Sequence, residues 1–253
     1  MNRTKYPVSE LARFDSIENM FREWQAECAK SKNGIVRENA DGLVRDGFYP
    51  YYTKQPKRIL FIGREAYDLE GCDYIEKFLH VYRHGKRVGR SKHLNQHFFH
   101  ARMLHIAWGL LNGMPDWEEI PWADEIGDSF GTENGISFSF MNLSKISNES
   151  GGTKSNFRVI DAFCDESTKS RNFIAEEIAL LEPQIIITMN LEDRLDFIGN
   201  CEPIEQNPNV TPYRFDTNGH RALLLDCWHF SATTKKNVRD YYEPICEAVK
   251  KYS

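Results

Sequence analysis

Seven polar side chains fall just past apolar runs that read as strands. They are Glu65 and Tyr67 in "GREAYD", Asn142 and Lys145 in "NLSKISNESGG", Asn190 in "NLED", and His229 and Ser231 in "WHFSATTKKN". One carboxylate, one carboxamide and one histidine are the minimum set for a particular job. That job is recognising the edge of a planar heterocycle and breaking its bond to a sugar. Such cleavage develops positive charge on the sugar and negative charge on the departing base, so polar groups of opposite character stabilise the two ends. The carboxamide of Asn142 carries both a donor and an acceptor and can tell one base edge from another. A histidine at a fixed strand end donates a hydrogen bond without an intervening water.

The elements that must position these groups follow from apolar periodicity. Strands are expected over about 58–63, 137–142, 184–189 and 221–227, the last entered through a tight hairpin turn at Asn218-Gly219. Helices are expected over about 16–30, with Asp15 and Glu18 as a capping box, and over 73–82, 93–111 and 170–181. A short helix is expected in "LEDRLDFIG", and a last one carries Ile245 and Val249 beside Pro244. The strand runs are nearly continuous in apolar residues and alternate with helices. This predicts an α/β fold, a three-layer α/β/α sandwich with a mainly parallel central sheet of about four strands. One domain is expected over 1–253, with an N-terminal helix and loop (1–57) packed on the core (58–253). Sites in such sheets form outside the carboxyl ends of the strands, where the seven polar groups lie.

The formal net charge of −5 argues against a general nucleic-acid binder. The charge is unevenly spread, however. Residues 77–115 contain no Asp or Glu and hold Lys77, Arg83, Lys86, Arg87, Arg90, Lys92, Arg102 and six of the eight histidines. Within this stretch His93, His97 and His100 stand at helical spacing. That spacing suits a metal, but no nearby Cys or H-E-x-x-H pattern accompanies it, and a basic, solvated helix face is expected instead. The six cysteines show no C-x-x-C spacing, which fits free thiols in a reducing compartment. No apolar run reaches the ~20 residues that span a bilayer, and "MNRTKYPVSE" is polar, so a soluble, cytoplasmic protein without membrane contact is expected. The aromatic run "GFYPYYTK" (47–54) either stacks on bases or covers the core edge. The Gly-rich loop 148–156 either cradles a phosphate or is a surface loop.

Three short pieces, in order and each at a strand end, resemble the uracil-DNA glycosylase-like superfamily. "GREAY" (63–67) resembles its first motif, commonly Gly-Gln-Asp-Pro-Tyr, "FMNLSK" (140–145) the strand end whose asparagine reads uracil, and "HFSA" (229–232) its His-Pro-Ser motif. The resemblance covers about 58–235 and implies an α/β/α sandwich on four parallel strands. It also implies hydrolysis of the N-glycosidic bond of an aberrant base in DNA, with uracil the first candidate and no metal or organic cofactor. Glu65 would position water and offset charge on the sugar, and His229 would stabilise the anionic oxygen of the departing base. Asn142, Tyr67 and Ser231 would bind the base. Arg64, Lys145, Arg87, Arg90, Lys92 and Lys235 would contact phosphate or nucleic acid. The chain departs from the motifs in having Glu65 for aspartate and Ala66 and Phe230 for prolines, and no leucine wedge follows His229. DNA, single-stranded or damaged, is the expected partner. Two other classes fit the same residues, a non-catalytic nucleic-acid or nucleotide binder and a hydrolase of small nucleosides. A dinucleotide oxidoreductase is disfavoured, because "GREAYD" lacks the G-x-G-x-x-G turn.

Overall fold

A computed structural model describes residues 2–152 and 154–253; the side chain of Glu192 lies outside that description. Seven strands form one mixed sheet in the order β1-β3-β2-β4-β7-β6-β5. They are β1 (Gly47–Phe48), β2 (Ile59–Gly63), β3 (Ser139–Asn142), β4 (Ile185–Met189), β5 (Asn200–Pro203), β6 (Val210–Thr217) and β7 (His220–Cys227). The four expected strands are the middle of this sheet, and β3, β2, β4 and β7 run parallel. The expectation of about four mainly parallel strands is corrected by β1, β6 and β5, which add three antiparallel pairings. The Asn218-Gly219 turn joins β6 to β7, and both residues take positive φ (49° and 78°), as a tight hairpin turn requires.

Alternation along each strand feeds two cores. Ile59, Phe61, Ile185, Ile187 and Leu225 face α3 (Tyr74–His80), α4 (Phe98–Leu111), α5 (Ala123–Ser129) and α8 (Glu243–Tyr252). Leu60, Ile62, Ile186 and Leu224 face α1 (Leu11–Ala29), α2 (Gly34–Glu38), α6 (Phe157–Thr168) and α7 (Phe173–Leu181). Burial on both faces is why these strands read as continuous apolar runs. Residues 1–57 are built into this plan. Ile17, Phe21 and Trp24 of α1 lie in the second core, Trp24 stacks on Phe173 at 5.5 Å, and β1 pairs with β3.

Several local expectations are corrected. Helix α1 begins at Leu11, so Asp15 lies inside it and pairs with Arg3 instead of capping. Helix α4 begins at Phe98, so His93, His97 and His100 do not share a helix face. His100 is buried with Nδ1 2.7 Å from the Tyr82 hydroxyl, and His93 faces Asp124 at 3.6 Å. Among the described residues no cluster of three His, Cys, Asp or Glu side chains suits a metal ion. The aromatic run covers the core edge, since Phe48, Tyr49 and Tyr52 are fully buried. Buried Glu10 fixes this turn by accepting from the backbone N–H groups of Tyr51 and Thr53 at 2.9 and 2.7 Å. Among the described residues all six cysteines are free thiols, and no helix is long and apolar enough to cross a membrane.

Candidate functional site

The segments after β2 and β3 run side by side. The N–H groups of Leu143, Ser144 and Asn148 donate to the carbonyls of Gly63, Arg64 and Ala66 at 2.8–2.9 Å. This zipper brings "GREAY" against "NLSKISN". Arg64 ties the pair to the end of β4, its guanidinium donating twice to the Asn190 carbonyl (3.2 and 2.8 Å). Asp226 joins the ends of β4 and β7, with Oδ1 accepting from Thr188 Oγ1 (2.6 Å) and the Leu191 N–H (3.1 Å). Phe99 of α4 bridges the rest, its ring 6.1 Å from Phe140 and 5.8 Å from His229.

Glu65 is 7% exposed. Its Oε1 accepts from the Asn156 N–H (2.9 Å) and Asn148 Nδ2 (3.2 Å), while Oε2 is buried with no donor from the described protein. Tyr67 is half-buried, and burial raises its phenol above the ordinary value. Asn142 ends β3 opposite Gly63. Its Nδ2 is buried without an acceptor among the described residues, a group that a ligand oxygen would satisfy. Its own N–H donates to Asp46 Oδ2 at 2.6 Å.

His229 has its Nδ1 2.7 Å from the Ser231 hydroxyl, and the Ser231 N–H also donates to that nitrogen at 3.3 Å. An accepting Nδ1 leaves the neutral ring's hydrogen on Nε2. Desolvation first, then the positive charges of Arg64 and Arg102, lower the imidazole to about 4. The sign follows directly. A histidine depressed from about 6.5 stays neutral above its folded value, and the stability it confers is lost as pH falls through that window. In an NMR titration the His229 ring, assigned by its loss in His229→Gln, is expected to keep neutral shifts from pH 8 to about 5 and to titrate near 4.

Ser231, expected to touch the base, is exposed and orients His229. Lys145, expected to touch phosphate, is fully buried, pairing with Asp46 (2.5 Å) and Glu177 (2.7 Å), both also fully buried. Its Nζ lies over Phe21 and Trp24. Lys145 is therefore structural, and through Asp46 it backs Asn142. Burial, reinforced by Glu177 against the opposing pull of Lys145, raises the Asp46 carboxyl well above the usual range. Lys235 places its Nζ 3.6 Å from the Trp228 ring centre. Arg87, Arg90 and Lys92 are exposed, as phosphate contacts must be. The basic face is smaller than expected, because Arg83 bonds the Phe130 carbonyl, Lys86 pairs with Asp128, and Arg102 is buried.

Arg102 is the main residue that sequence reasoning missed. It donates to the carbonyls of Phe230, Ala232 and Lys235 (2.5–2.9 Å) and to Asn237 Oδ1 (2.8 Å), clamping the loop that carries His229. A lone arginine inside the apolar run "HARMLHIAW" was the available signal. In the Gly-rich loop, Asn148 and Asn156 grip Glu65; Thr153 lies outside the described residues. A cleft of about 710 Å³ lies away from all these groups, beside Lys57, Ile185, Arg214 and Tyr252 at the start of β4.

No family model, no curated protein and no solved structure matches the chain.

Proposed function

We propose that the protein hydrolyses the N-glycosidic bond of an aberrant base in DNA, with uracil the first candidate, as a cytoplasmic enzyme of the uracil-DNA glycosylase-like fold. The observation that carries this reading is a set of three groups at the carboxyl ends of parallel strands. Among the described residues, a buried carboxylate has one oxygen without a donor, a buried carboxamide has its Nδ2 without an acceptor, and an imidazole is held neutral with its hydrogen on Nε2. In this mechanism Glu65 polarises the attacking water and offsets positive charge on the sugar. Asn142 donates from Nδ2 to a base carbonyl, and the Nε2–H of His229 stabilises the oxyanion of the leaving base. No metal or organic cofactor takes part. The four parallel strands in the order β3-β2-β4-β7 support the fold assignment.

Release of free base from uracil-containing DNA, with deoxyuridine as a parallel substrate, tests the proposal. Release from DNA and not from the nucleoside is the expected result. Turnover of the nucleoside alone would assign the site to a small-molecule hydrolase, and DNA binding without release would assign it to a binder.

Gly63 supplies a second test. A Cβ there would lie 2.7 Å from Asn142 Oδ1 and 3.2 Å from Phe140 Cζ. Gly63→Ala must push the carboxamide aside. We expect base release to fall by about 10–100-fold with a stability loss of about 1–3 kcal/mol, read by a kinetic assay and denaturant unfolding.

A further inference from the structure

The segment after His229 contains one large apolar residue, and it faces inward. Phe230 is fully buried, its ring 5.9 Å from Phe61 and 5.4 Å from Tyr241. The rest of the loop, "SATTKKN", is small or polar. The Arg102 clamp on the Phe230, Ala232 and Lys235 carbonyls holds this arrangement. Extruding a base from a duplex costs a few kcal/mol, and proteins that open duplexes commonly insert an apolar wedge. The segment after His229 presents none.

The rim around His229 carries exposed rings instead. Trp228 is 36% exposed, and Phe157 and Phe98 are each 39% exposed. Each carries a cation. Lys235 sits 3.6 Å from the Trp228 centre, Arg64 and Arg194 lie 5.2 and 4.2 Å from Phe157, and Arg102 lies 4.8 Å from Phe98. Trp228 adjoins His229 in the chain, and its indole N–H is held by Asn209 Oδ1 at 3.3 Å. Phe98 precedes Phe99, whose ring lies 5.8 Å from His229, and Phe157 follows Asn156, whose N–H donates to Glu65. Arg102 is buried and Arg194 pairs with Asp161, which leaves the partly exposed Lys235 and Arg64 for phosphates; rings for stacking beside such cations are the chemistry by which single strands are bound.

We propose that this rim binds single-stranded DNA, with bases flanking the one at His229 stacked on Trp228 and Phe157, and that duplex DNA is a poor ligand. This rests on the reading that the site takes a base in DNA. The test uses short uracil-free oligonucleotides as single strand, as duplex and as RNA of the same sequence, with fluorescence anisotropy as readout. The single DNA strand is expected to bind at least about 10-fold tighter than the duplex, Trp228→Ala to lose about 10-fold, and Trp228→Phe to keep most of the affinity. Equal or tighter binding of duplex, tighter binding of RNA, no binding at all, or an unaltered Trp228→Ala would each overturn the proposal. Trp228 is partly exposed, and circular dichroism checks that Trp228→Ala is folded. The probe contains no uracil, so the two readings fail separately. Single-strand binding weakened by Trp228→Ala, with no base release from uracil DNA, would leave this inference standing and remove the glycosylase. Equal release from both strand forms, insensitive to Trp228→Ala, would do the reverse.

Discussion

Glu65→Gln should abolish most base release while leaving the fold intact. The substitution keeps Oε1, which accepts from the Asn156 N–H and Asn148 Nδ2 at 2.9 and 3.2 Å, so the link between the 148–156 loop and the end of β2 survives. What it removes is negative charge at Oε2, the buried oxygen with no donor from the described protein. In the proposed mechanism that charge polarises the water and offsets the charge developing on the sugar. Loss of one such group costs about 10²–10⁴-fold in rate. The unfolding free energy should change by no more than about 1 kcal/mol. A rate loss accompanied by a large stability loss would mean that Glu65 acts only as a clamp on its loop.

Lys145→Met should produce the largest loss of stability in the molecule. The ammonium, Asp46 and Glu177 are all fully buried, so removing the lysine leaves two carboxyl groups in the core without their cation. Removing one partner of a buried ion pair costs about 3–5 kcal/mol, a large share of the roughly 5–15 kcal/mol that holds a domain together. Denaturant unfolding should show the deficit. The pH dependence adds a signature. Asp46 already has its carboxyl raised by burial, and without Lys145 it rises further. A carboxyl raised in the folded state contributes stability that is complete below the unfolded value, about 3.9, and is lost as pH rises toward the folded value. The deficit of Lys145→Met should therefore be smallest near pH 4 and grow toward pH 7. The triple variant with Asp46→Asn and Glu177→Gln should recover part of the loss, because it removes the stranded acids.

The strand ends were legible because strands buried on both faces leave a strong signature, continuous runs such as "ILFIG" and "IIITM" closed by polar residues. The antiparallel edge was not. Three of the four residues of β5 are exposed, and it exists through its backbone ladder to β6, which no side-chain pattern announces. Helix α6 leaves a weak trace in the sequence, since Val159, Ile160, Phe163 and Cys164 stand among polar and acidic residues and Phe157 at its start is exposed. The site was half legible. Glu65, Asn142 and His229 could be placed by their positions after strands, but the partners that set their chemistry are far off in sequence. The acids that claim Lys145 come from a loop before the sheet and from α7, and Arg102 reaches carbonyls about 130 positions later. A charged residue at a strand end reads the same whether it faces solvent or the core, and only the three-dimensional acceptors decide.

In the proposed mechanism Glu65, Asn142 and His229 cut the bond between a base and its sugar. The direct measurement is single-turnover release of free uracil, separated chromatographically, from uracil-containing single- and double-stranded oligonucleotides by the native protein and by Glu65→Gln. The expected result is release by the native protein, fastest from the single strand, and a loss of at least about 100-fold in Glu65→Gln with an unchanged circular dichroism spectrum. No release above background from either substrate would contradict it, as would equal release by the two proteins.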